Sequence, residues 1–320
     1  MKQPVLARDG ARHRGVIDTL SAGYALIHRQ PWLMLVPILL DVFLWRGPKV
    51  SLAALVAAAL DAPGLDERSR QMLDQSRPEL LQLAGDFNLL LLLAPAQLGP
   101  RLGVPSALAL VGGGGLGGER PLQGWGDVAM VAVLALLVGL GLSGLFRAGL
   151  ALQLGQDGIR PGELLRQGLL GAWRLVLLVA LTLLLACLAA IPLALGRLVV
   201  GDAALVLATL VVLWAMVYCF FAPEIIFVGR VGPWRALRES VTLVHGSFWP
   251  ALGLIVLTTV ILLGMAQVWL VLQGRGAGGM VLAILGNAYV ASGLVGASMV
   301  FYRERRLQSV AARGEALAAR

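Results

Sequence analysis

Charge is scarce in this chain, and lysine is scarcer still. Of its 320 residues 14% are charged, and Lys2 and Lys49 are the only lysines. A soluble domain carries about 25% charged residues, so an ordinary soluble fold is excluded. Cysteine is limited to Cys187 and Cys219, both inside apolar runs, where a thiol serves packing. No Cys/His cluster has ligand spacing, so no metal is expected. No Ser/His/Asp or paired-carboxylate constellation stands out either, so neither catalysis nor a cofactor is expected. The chain also lacks the pattern of a cleavable leader. Lys2, Arg8, Arg12 and Arg14 precede an amphipathic stretch, and the first long apolar run begins only near Pro31. A basic soluble domain is missing, which removes nucleic acid from the expected partners.

What fills the chain instead is apolar sequence. Hydrophobic residues make up 58% of it, and its mean hydropathy is +0.82. The run Gly201 to Val228 has no charge between Asp202 and Glu224. At about 1.5 Å per residue, a helix of that length crosses a hydrocarbon core of about 30 Å. Similar runs cover Pro31 to Leu60 (interrupted by Arg46-Gly47-Pro48-Lys49), Trp125 to Leu152, Ala172 to Leu195, Phe248 to Leu272 and Met280 to Tyr302. Lipid offers no partner to a bare backbone, so the choice is between helices and a closed barrel. A barrel needs short alternating segments, whereas these runs are continuous. The expected fold is an all-α integral membrane protein of six transmembrane helices, a single domain over residues 1–320.

The arginines orient it. The N-terminal arm, the loops after spans two and four and the tail hold 17 of the 26 basic residues and seven acidic ones; the opposite face has nine of each. Positive charge stays inside, so both termini are expected in the cytoplasm. Anionic lipid head groups on that face are the expected partners.

A repeated segment is visible. Ile17 to Trp32 aligns without gaps on Trp234 to Trp249, and Pro161 to Trp173 is a shorter third copy. Each precedes a pair of spans, which predicts three units of amphipathic interfacial helix plus transmembrane hairpin. In the clearest copy, Trp234, Leu237, Val241 and Val244 form one stripe, while Arg235, Arg238, Glu239 and Thr242 form the other. Arg235, Arg238, His245, Trp249 and Trp32 are the expected contacts with the lipid interface; docking of the same helix on neighbouring spans is compatible with this. The first hairpin carries an outer insertion, residues 61–124. Asp66 to Leu83 reads as a polar helix. Phe87 to Pro95 and Leu102 to Val111 are apolar but too short to span, leaving residues 87–111 as re-entrant, interfacial or a cap. Gly112 to Gly118 is a flexible stretch with no phosphate-loop context.

Three polar residues at membrane depth are the candidate intramembrane site: Asp41, Glu224 and Asn287. Asp41 is either a proton, cation or substrate contact, or a structural partner of Arg46 near the outer interface; Arg46-Gly47-Pro48 resembles a helix end and favours the structural role. Glu224 follows Pro223, which frees a carbonyl and can kink the span. It reads either as a gate or ion ligand or, in the favoured reading, as a partner of Arg230 or an arginine of the following amphipathic helix. Asn287, Gln267 and Gln153 read as glue between helices. Gly139, Gly141 and Gly144, with Gly293, Gly296 and Ala297, read as close packing. His28 and His245 occupy equivalent repeat positions and read as interfacial or capping residues.

Pro223, the run Ala236-Leu237-Arg238-Glu239-Ser240 and the run Gly246-Ser247-Phe248-Trp249 resemble a bacterial family. It is the six-span membrane domain found alone or attached to glycerophosphodiester phosphodiesterases. Pro31 to Ser51 also resembles the opening of its standalone members. The resemblance implies a bacterial cytoplasmic membrane location and the six-span fold. No phosphodiesterase domain is present, so that activity does not carry over. The expected function is a non-enzymatic membrane scaffold, assembly factor or accessory subunit that organises lipids or partner membrane proteins. A transporter of a small or lipidic molecule is the alternative, and a lipid-acting enzyme ranks third.

Overall fold

The computed structural model describes residues 15–61, 67–94, 102–111, 116–122, 124–155 and 160–318. The arm with Lys2, Arg8, Arg12 and Arg14, and residues 112–115 of the glycine stretch, lie outside the described residues. Helices dominate: α1 (Val16–Arg29), α2 (Leu35–Arg46), α3 (Ala53–Leu60), α4 (Glu67–Asp86), α5 (Ala107–Val111), α6 (Trp125–Gly155), α7 (Pro161–Val200), α8 (Ala203–Cys219), α9 (Ala222–Gly229), α10 (Pro233–Gly246), α11 (Phe248–Gln273) and α12 (Ala277–Ala318). Five continuous stretches are long and apolar enough to cross a membrane. A sixth is added if α1 and residues Pro31–Arg46, bent by 94° at Gln30, count as one span.

The first span is shorter than its hydropathy suggests. The run to Leu60 ends as a helix at Arg46, because Pro48 holds Gly47 extended (φ −72°, ψ 175°). Beyond it, β1 (Lys49–Ser51) pairs in parallel with β2 (Glu119–Pro121), and α3 packs on α4. Span four is also broken. Pro223 has no N–H to offer Cys219, and α8 stops there before α9 resumes at Ala222. The neighbouring Tyr218 carbonyl accepts the Ser240 hydroxyl at 2.6 Å, which fastens α10 across the break.

The three aligned segments take different places. The α10 segment caps α7, α8, α9 and α11, whereas the third copy is continuous with span three as the start of α7. The α1 segment packs closely on α12, in opposite directions. Tyr24 and His28 reach Val290 and Tyr289, while Gly23 meets Gly293 and Ala297. A Cβ on Gly23 would lie 2.3 Å from the Ala297 amide, so only glycine fits. The buried stripes of α1 and α10 still agree: Thr19, Gly23 and Ile27 align with Ala236, Ser240 and Val244, and all six are buried.

The outer insertion penetrates the bundle. A 3₁₀ turn at Leu89–Leu93 packs on α6, and α5 packs on α2, α11 and α12. Leu93 comes so close that a Cβ on Gly139 would sit 2.2 Å from its carbonyl oxygen. The described part of residues 87–111 is thus packed against the helices rather than standing apart from them. Leu89, Leu91, Leu93, Ala94, Val104 and Leu108 are all buried, so protein surrounds this non-helical backbone.

Candidate functional site

The site grows from the carboxylates outward. Asp41, on α2, is 0% exposed. It accepts hydrogen bonds from the Ser106 hydroxyl and, at 2.9 Å, from the Ala107 amide at the start of α5. Ser106 in turn accepts the Ala109 amide at 3.0 Å, so the carboxylate and the hydroxyl together satisfy the free donors of that short helix. Arg46 is elsewhere, its guanidinium 4.6 Å above the Trp45 ring. The expected Asp41–Arg46 pairing is therefore replaced by a fastening of the inserted loop.

Glu224 has a different partner from the expected one. Arg147 of α6 donates from Nη1 to Glu224 Oε1 at 2.9 Å, with both side chains fully buried. Arg230 instead faces Glu163 at 3.6 Å, and Arg235 is bonded to Glu239 at 2.8 Å. The reason is depth. Glu224 is fully buried on α9, next to the fully buried Ile225, whereas the side chains of Arg230 and Arg235 are largely exposed. The network continues outward: Arg147 Nε donates to Ser143 Oγ at 3.2 Å, and Ser143 donates to the Leu102 carbonyl at 2.8 Å. Leu102 and Ser106 belong to the same inserted segment. Both carboxylates therefore hold one loop, Asp41 directly and Glu224 through Arg147 and Ser143.

Asn287 does not join them. It is 1% exposed, and its Nδ2 has no hydrogen-bond partner among the described residues. Gln153 acts as glue, donating to the Leu26 carbonyl at 2.7 Å. His28 meets the Tyr289 hydroxyl at 3.0 Å, while His245 is exposed. Gly144 lets the Gly168 carbonyl approach, but Gly141 faces open space and packs nothing within 4 Å. Of the expected interface residues, Trp249 is 77% exposed and Trp32 40%. Arg238 lies 5.7 Å from the Trp234 ring centre, and Arg235 is largely exposed. Inside that face, Glu239 also accepts the Tyr302 hydroxyl at 2.7 Å. Burial pushes the Glu239 carboxyl up, but the Tyr302 and Arg235 hydrogen bonds and the Arg235 and Arg306 charges outweigh it, and the group ends below the ordinary carboxylate value.

Arg147, Ser143 and Ser106 were missed in the sequence. Arg147 lies inside the run that ends at Leu152, not in the loop after it. The signal was there: a lone arginine between Phe146 and Ala148, in a chain with a lone glutamate at similar depth. Ser106, just after Pro105, carried the weaker signal of a helix-starting residue.

No family model, curated protein or solved structure matches this chain. The likeness to the membrane domain of glycerophosphodiester phosphodiesterases thus rests on the residues quoted for it. What the fold and site define is a class: a polytopic helical membrane protein with an inserted loop locked by buried polar contacts.

Proposed function

We propose that the protein is a non-enzymatic membrane scaffold, assembly factor or accessory subunit, built on the six-span plan of the bacterial family it resembles. The observation that carries this reading is the hairpin of α7 and α8. Beyond Leu181 its residues lean away from the bundle, and Leu184, Leu188, Ile191, Leu207, Val211 and Trp214 are all exposed on it. The hairpin also packs on α6 and α10, and its far part, residues 183–192 of α7, is exposed throughout. Asp41, Arg147, Glu224 and Ser143, by contrast, are engaged in holding the loop. Such a molecule offers a firm body and an arm to partner membrane proteins.

Extraction into native-lipid nanodiscs and quantitative mass spectrometry tests it. A stoichiometric membrane partner, lost when Leu188 and Val211 are both changed to asparagine, is the expected result. A lone protein with unchanged behaviour in that variant overturns it. Transport of a small or lipidic molecule is the second reading, supported by the inserted segment and the Arg147–Glu224 pair beside it. It requires a substrate flux that falls in both Asp41→Asn and Glu224→Gln.

A further inference from the structure

At the arginine-rich end of the bundle, residues of α6, α7, α9 and α12 line a half-open cavity of about 270 Å³. Its lining holds three guanidinium groups, Arg230, Arg303 and Arg306, the amide of Gln167, and apolar walls that include Phe227 and Leu307. No carboxylate lines it among the described residues. Glu163 lies 3.6 Å from Arg230, offsetting one of the three charges, and accepts the Gln167 side-chain amide at 2.7 Å. Arg303 is braced, donating to the Leu154 carbonyl with one of its several N–H groups. Glu239 is the nearby carboxylate that feels Arg306, and it is already bonded to Tyr302 and Arg235.

Backbone geometry adds an independent observation. Arg230 has φ 55° and ψ 32°, the one non-glycine residue with positive φ among the described residues. That conformation favours glycine, and its neighbour Gly229 could have supplied one by a shift of a single position. An arginine held in this strained shape, with its side chain on a basic cavity, marks a position where the guanidinium matters more than the backbone.

We propose that this cavity binds the phosphate of an anionic ligand, with a phospholipid as its source. Guanidinium groups match phosphate oxygens through paired hydrogen bonds. The apolar side chains on the same wall suit the start of an acyl chain, and the position where α6 and α9 end and α7 begins suits a lipid that keeps its head group at the interface. The site does not depend on the scaffold reading, because a transporter could hold the same lipid.

The test uses the full-length protein, delipidated in detergent and titrated by native mass spectrometry. Probes are phosphatidylglycerol, phosphatidylcholine, glycerol 3-phosphate and inorganic phosphate. Phosphatidylglycerol should bind the wild type about tenfold more tightly than Arg230→Gly or Arg306→Gln, the loss of one charged hydrogen bond. Arg230→Gly relieves the backbone while removing the guanidinium, and Arg306 is exposed, so misfolding would not account for the loss. Phosphatidylcholine should bind weakly and show no such difference. If glycerol 3-phosphate or inorganic phosphate displaces the lipid at comparable concentration, the phosphate site holds but the lipid source is overturned. Equal binding of phosphatidylglycerol by the wild type and both variants overturns the site itself.

Discussion

Arg147 is the buried partner that Glu224 meets inside the bundle. A buried ion taken alone is costly, and its partner offsets this only at hydrogen-bonding distance, as found here at 2.9 Å. Arg147→Met should therefore destabilise the protein by about 3–5 kcal/mol, read as thermal unfolding in nanodiscs. Arg147→Met combined with Glu224→Leu should recover most of that loss, because no orphaned charge remains. A double variant as unstable as the single one would show that the pair does more than neutralise itself. Glu239 makes a pH-dependent contribution of the ordinary carboxylate sign. Its folded-state value is lowered, so the stabilisation is present above the unfolded value and disappears as pH falls through the folded one. The gap in melting temperature between wild type and Glu239→Gln should thus be open at neutral pH and close in the acid range. At this scale the sequence displayed the unusual residues, Asp41 and Glu224, but not their partners. Arg147 lies 77 positions from Glu224, and Ser106 65 from Asp41.

Elements follow local rules wherever local chemistry decides. Pro48 ends α2, Pro223 breaks span four, and the i, i+4, i+8 stripe of the aligned segments is buried in both α1 and α10. Where the elements go is another matter. The inserted loop enters because Gly139 leaves room for Leu93 and because Asp41 receives the start of α5. Gly139→Ala should push the loop outward and cost about 1–3 kcal/mol, the usual penalty of overpacking. Asp41→Asn should loosen the same loop from its other end, since an amide offers one acceptor oxygen where the carboxylate offers two. A cysteine at Leu108, fully buried in the wild type, reports both effects. Its labelling by a water-soluble maleimide should be slow alone and clearly faster with either substitution. Unchanged labelling in both would mean the loop is held by apolar contacts only. The glycine at 139 was visible as a close-packing residue; that it admits a loop rather than a helix was not.

For the molecule as a whole, the arginine distribution makes a topological prediction. A green fluorescent protein fused after Arg320 should fluoresce and an alkaline phosphatase fused there should be inactive, placing the C-terminus in the cytoplasm; the reverse pattern would invert the orientation. Composition and periodicity by themselves determined that this is a helical membrane protein, roughly where its spans run and which faces are amphipathic. Those properties follow from transfer between water and hydrocarbon, which acts on each segment nearly independently of the others. The tertiary structure alone decided that residues 87–94 and 102–111 are packed within the bundle, that Arg147 meets Glu224, and that Arg230, just past α9, lines one cavity with Arg303 and Arg306 of α12. Each of these depends on which helices become neighbours, and that is settled by close packing between residues far apart in the chain, where small steric differences at positions such as Gly23, Gly139 and Gly144 choose the partner.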